Sequence, residues 1–88
     1  MAGNTFQLEV ATPERLLVDA QVTDAELPGK DGYMGILPGH APLLSVLGTG
    51  TLTYSEGGAK KVLNIEGGFA EVYNDHVRVL ADKAEAVS

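Results

Sequence analysis

The residues able to do chemistry in this chain are few. Its 88 residues include two histidines, His40 and His76, three serines, Ser45, Ser55 and Ser88, and no cysteine. A metal site without thiolates would need both histidines and added carboxylates gathered by the fold, and no H-x-x-x-H spacing exists to begin one. None of the serines stands in G-x-S-x-G, so a nucleophile elbow is absent. Twelve carboxylates make some close pair unavoidable, so a paired-acid argument carries no information. Eleven glycines invite a phosphate-loop reading, but neither G-x-x-x-x-G-K-[ST] nor a helix-opening G-x-G-x-x-G is present. These residues predict no enzyme, no metal and no cofactor. His40 keeps two readings: it fixes its own corner by bonding nearby backbone, or it meets a partner from a stiff loop.

The elements that must carry such residues follow a period of two. Phe6, Leu8 and Val10 alternate with Gln7 and Glu9, as in a half-buried strand. Thr12-Pro13-Glu14 turns the chain. Val18, Ala20 and Val22 then alternate, and the parity slips so that Ala25 and Leu27 carry the apolar side. That slip predicts a bulge or a sheet switch near Thr23-Asp24. Pro28 to Gly32 reads as a turn, followed by strands over 33–37 and 43–47. Gly48-Thr49-Gly50 makes a corner, and Glu56-Gly57-Gly58 and Asn74-Asp75 read as hairpin turns. Gly67-Gly68 lies between strand-like runs with no polar loop around it, which predicts a bulge or a close backbone approach. The tail from Ala81 to Ser88 switches to helix formers but is too short for a free helix, for which ~12–15 residues are marginal. The whole pattern predicts an all-β antiparallel sandwich or flattened barrel of eight to ten short strands.

The segment GYMGILPGHAPLL, residues 32–44, stands apart. Leu37 and Ala41 are each biased toward extended geometry by the proline that follows, while Gly35 and Gly39 permit bends. It predicts a stiff corner that holds one shape.

Composition narrows the partners. A net charge of −6, with the six basic residues scattered, argues against nucleic acid. No apolar run approaches the ~18 residues of a membrane span, and the N-terminus lacks the pattern of a signal peptide. The chain as given is expected to be cytosolic or matrix-like, joined to any membrane through a partner and not by direct insertion. A chain this small should bury about 60–65% of its extended surface, enough for one thin core.

Four ordered segments carry a family resemblance: GYMGILPGHAPLL, then LGTGTL at 47–52, IEGGFAEV at 65–72 and VRVLADKA at 77–84. From about Phe6 to Glu85 this set resembles the epsilon subunit of F-type ATP synthases, called delta in mitochondria. The resemblance implies about ten strands in two five-stranded sheets over residues 1–84, with 85–88 the start of a further, helix-prone segment. It implies a non-catalytic rotor part that fastens the gamma subunit to the c ring and lets ion-driven rotation reach the catalytic sites. It places the protein on the cytoplasmic side of a bacterial plasma or inner membrane, peripherally. By resemblance Lys30, Asp31, Gly32 and Tyr33 would face the c ring, Tyr33 being a departure from the charged or small residues often found there. His40, Ala41 and Pro42 would lie on or near the face meeting gamma, with Thr12 and Ser45 as looser matches.

Family members usually continue into a helical hairpin, which this sequence does not contain. Whether it is a piece of a longer chain or a short natural form is open. Either way no ATP site and no hairpin-type inhibition are expected from these residues. The alternative from another class is a free-standing sandwich that binds a small ligand or carbohydrate. It would need an aromatic pocket built from Phe6, Tyr33, Tyr54, Phe69 and Tyr73, the only aromatics available.

Overall fold

A computed structural model describes residues 4–87. Its elements are all strands: β1 (Phe6–Ala11), β2 (Leu16–Val22), β3 (Asp24–Gly29), β4 (Gly32–Ile36), β5 (Leu43–Val46), β6 (Thr49–Glu56), β7 (Ala59–Tyr73) and β8 (His76–Ala86). They form one hydrogen-bonded sheet in the order β2-β1-β8-β7-β6-β3-β4, with β5 added on β7. All pairs are antiparallel except β1 with β8, which is parallel.

This corrects the expected count of ten strands in two five-stranded sheets. Part of the reason lies at Gly67-Gly68, where the strand-like runs on either side are one continuous strand. Both glycines have positive φ, 66° and 113°, so the backbone bends sharply while β7 continues on either side. Before the bend, Ala59 to Glu66 pair with β6; after it, Phe69 to Val72 pair with β5. β8 crosses the same bend beside it. Its first half pairs with β1 and its second half returns along Leu63 to Glu66. Two long strands thus serve both arms of the folded sheet, and no break separates them. The second expectation at this site, a close backbone approach, is met: a Cβ on Gly68 would stand 2.7 Å from Ala81 Cα and collide with the Leu80 carbonyl oxygen.

The tail also differs from its propensity. Residues 81–86 are strand, not helix, because Ala81 is buried and Ala84 packs on the core across from Ile65. Tertiary contact overrides the helix preference of alanine, lysine and glutamate. The parity slip at Thr23 marks a crossing between the two arms of the one sheet: β2 ends at one margin, and the Thr23 amide donates to Ser55 O at 2.9 Å as the chain enters β3 in the other arm.

The two arms enclose one core. Phe6, Leu8, Val10, Val77 and Val79 meet Leu27, Ile36, Leu52 and Ile65, all nearly inaccessible. Among the described residues no polar or charged side chain is buried. Turn chemistry fixes the register. Asn74 and Asp75, both at positive φ, make the two-residue link between β7 and β8, and Gly57-Gly58 make the link between β6 and β7. No helix of the described residues is long and apolar enough to cross a membrane.

Candidate docking face

Side chains on a sheet alternate, so each arm has an outer face. The register places outward residues of β5, β7, β8, β1 and β2 in rows running across the strands. One row reads Val46, Phe69, Leu80, Ala11, Leu16. Its members are apolar, and Phe69, Leu80 and Leu16 are each more than half exposed. The next row reads Leu44, Glu71, Arg78, Glu9, Asp19, and Leu44 is 73% exposed. The third holds Tyr73, His76, Gln7 and Gln21. The outer face of the other arm differs: its rows are built from Thr49, Glu66 and Lys83, and from Thr51, Asn64 and Glu85. One face is therefore a stripe of apolar groups beside charges, and the other is mainly polar, with Val62, Val87 and Tyr33 forming no row across it. Contiguous exposed apolar groups rimmed by polar ones mark interaction surfaces.

The charged row is internally braced. Glu9 Oε1 accepts from His76 Nε2 at 2.6 Å and from Arg78 Nε at 3.3 Å. The bond from His76, with Arg78 adding to it, holds the Glu9 carboxyl below its ordinary value of 4.5. The Tyr73 and His76 rings stack, centroids 6.2 Å apart. Gln7 Nε2 donates to Asp19 Oδ1.

The expected partner residues fall around this face and not at its centre. His40 is half-buried. Its Nδ1 lies 2.7 Å from Ala41 O and its amide donates to Leu37 O at 3.2 Å, so its side chain fixes the corner. A second latch comes from the β7–β8 turn, where Asp75 Oδ1 accepts the Gly39 amide at 2.6 Å. Ala41 and Pro42 are exposed, and Pro42 shares a shallow groove with Leu44 and Tyr73. Ser45 sits between Leu44 and Val46 with the opposite parity, paired with buried Ala70. Thr12 lies across the sheet from these, at the β1–β2 turn, where its hydroxyl accepts from the Glu14 and Arg15 amides at 3.3 Å each. Of the five residues, His40, Ala41, Pro42 and Ser45 cluster beside β5, and Thr12 marks the far margin.

At the end of the molecule Lys30 and Asp31 form the exposed β3–β4 turn, flanked by Gly32 and Tyr33. These four line an open groove of about 500 Å³ with Leu44, Ser45 and Val46. Tyr33 is tied down by its hydroxyl, which accepts the Thr51 amide at 3.0 Å.

Among the described residues no group of three His, Asp or Glu side chains is arranged to hold a metal. The five aromatics do not line one pocket: Phe6 is in the core, Tyr54 is nearly so, Tyr33 is bonded to Thr51 on the other arm, and Phe69 and Tyr73 share one outer face but stand two rows apart.

Residues 5–87 match the family described as ATP synthase, Delta/Epsilon chain, beta-sandwich domain. The chain belongs to this family. An ATP synthase epsilon chain from Solibacter usitatus is 62% identical over 82 residues, covering 93% of this chain and 61% of that protein. One from Koribacter versatilis is 46% identical over 83 residues, covering 94% of this chain and 58% of its own length. The chain thus spans about three-fifths of these relatives. Among solved structures, a chain of the Euglena gracilis mitochondrial ATP synthase, in its OSCP/F1/c-ring assembly, superposes with a TM-score of 0.88 at 27% identity. The match covers 94% of this chain and 54% of that one. A chain from the central stalk and c-ring of the Tetrahymena thermophila mitochondrial ATP synthase has the same fold, with a TM-score of 0.76 at 13% identity.

Sequence reasoning missed Phe69, Leu80, Leu44, Val46 and Leu16. A signal was available, because V-R-V-L-A at 77–81 puts a leucine on the parity that otherwise carries charge. Leu43-Leu44 and Gly68-Phe69-Ala70 break alternation in the same way.

Proposed function

We propose that this sandwich is a non-catalytic rotor subunit of an F-type ATP synthase, of epsilon type and corresponding to mitochondrial delta. It docks on gamma through the outer face of β5, β7, β8, β1 and β2. The observation that carries this reading is the difference between the two outer faces, one bearing the row Val46, Phe69, Leu80, Ala11 and Leu16, the other threonines and charges. A row five strands wide spans about 19 Å at ~4.8 Å per strand, the reach of a specific contact. Family membership supplies the partner, and the latched corner at His40, Ala41 and Pro42 gives the edge of the face a fixed shape. Thr12 and Ser45 support the margins of this face.

The Lys30–Tyr33 turn is assigned to the c ring. It is exposed, short and braced by the Tyr33–Thr51 bond, as a contact that transmits torque requires. In this role the domain couples ion-driven rotation to ATP synthesis without performing chemistry. It sits peripherally on the cytoplasmic side of a bacterial membrane and takes no cofactor, small ligand or nucleic acid. Purified gamma should form a 1:1 complex with this chain on size exclusion. A folded sample that elutes independently of gamma contradicts the proposal. Added to a gamma-containing α/β complex, the chain should leave ATP hydrolysis uninhibited; strong inhibition contradicts the reading that these residues only dock.

A further inference from the structure

The charged row beside the apolar one specifies what the partner surface must carry. Arg78 and His76 both converge on Glu9, so the middle of the row is satisfied within the protein. Glu71 and Asp19 stand on either side of that cluster, both exposed, and neither forms an ion pair among the described residues. Glu71 is on β7 and Asp19 on β2, three strand spacings apart, which is about 14 Å. The apolar row runs beside it, two residues along β5, β7, β8 and β1 and so about 7 Å away, and three along β2, where the register shifts.

Two other occupants fit poorly. An anionic lipid surface would meet three carboxylates in this row against one arginine, on a chain of net charge −6. A second copy packed face to face would bring like charges together at the row ends.

We infer that this face recognises a protein surface with an apolar ridge and, about 7 Å to one side, two Lys or Arg side chains about 14 Å apart that pair with Glu71 and Asp19. This rests on the proposed docking of gamma on the same face and states the chemistry gamma must present there. Phe69 and Leu80 supply contact area, and the two carboxylates set orientation along the row. Charge complementarity of this kind fixes register and steers encounter.

The test is titration of gamma with the wild-type chain and with Glu71→Lys, Asp19→Lys and the control Glu66→Lys on the polar face, at about 50 mM and about 500 mM salt. All three positions are exposed, so the variants keep the fold. Each of Glu71→Lys and Asp19→Lys should weaken binding about tenfold or more at low salt, with the loss shrinking at high salt, while Glu66→Lys changes little. Unchanged affinity in both reversals, with Phe69→Ala still weakening the complex, overturns the paired-cation inference and leaves the docking face standing. No association of wild type with gamma overturns both. Binding of wild type to vesicles of anionic phospholipid, or face-to-face dimerisation that Glu71→Lys disrupts, also overturns it.

Discussion

Tyr33 occupies the space that a side chain at Gly50 would need. A Cβ built on Gly50 would stand 2.9 Å from Pro28 Cβ and would collide with the Tyr33 hydroxyl, the same oxygen that accepts the Thr51 amide. Tyr33 is therefore a brace between β4 and β6, and the bare glycine is its seat. Gly50→Ala should destabilise the fold by about 1–3 kcal/mol, the usual range for overpacking. Tyr33→Ala combined with Gly50→Ala should cost less than the sum of the two, because removing the ring frees the space. Urea unfolding of the four proteins measures this coupling; strict additivity would refute the brace.

Glycines here are not interchangeable, and a pair of alanine substitutions separates their roles. Gly68 has φ of 113° and sits against the Leu80–Ala81 backbone, so Gly68→Ala should cost about 2–5 kcal/mol from strain and collision together. Gly35 has open space around its Cβ position and no positive φ, so Gly35→Ala should stay within about 0.5 kcal/mol. Thermal unfolding ranks the two directly.

Acid should weaken the sheet through Glu9. Its carboxyl is held below the ordinary 4.5 by the bond from His76, so the folded state binds a proton less readily than the unfolded chain. The stabilisation is complete above 4.5 and is lost as pH falls through the lowered folded value. Glu9→Gln should flatten this limb of the stability curve and leave the rest of the profile in place. Denaturant midpoints measured across the acid range check the sign, and an unchanged slope in the variant would count against it.

The corner in GYMGILPGHAPLL depends on a residue far from it in sequence. Asp75 caps the Gly39 amide at 2.6 Å, a charge-assisted bond between the corner and the β7–β8 turn. Asp75→Ala should loosen residues 37–42, seen as faster amide exchange at Gly39 and His40, and cost about 1–2 kcal/mol. Exchange unchanged at Gly39 would mean that the prolines alone hold the corner.

How much of this was legible beforehand depends on range. Local signals read well: Asn74-Asp75 as a two-residue turn and the parity slip at Thr23 both depend on nearby residues. What failed was long-range. At Gly67-Gly68 the close approach was legible, but nothing local reveals that β8 runs alongside and carries one continuous strand through the bend. The tail read as helix-prone because its pairing with Ile65 and Leu63, which sets it in the sheet, is long-range. Phe69 and Leu80 were absorbed into an alternating pattern, and only the register shows that they align with Val46 and Leu16 on one surface. His40 drew attention by type, yet its bond to Ala41 O makes it a fastener of the corner.

The docking face is tested most directly by calorimetric titration of gamma with three proteins: wild type, Phe69→Ala from the apolar row and Thr51→Ala from the polar face. Phe69 stands mid-row and more than half exposed, so truncating it should remove about 2 kcal/mol, roughly a thirtyfold loss of affinity. Thr51→Ala should bind like wild type. Equal affinity for wild type and Phe69→Ala, or a loss confined to Thr51→Ala, would contradict the assignment of this face to gamma.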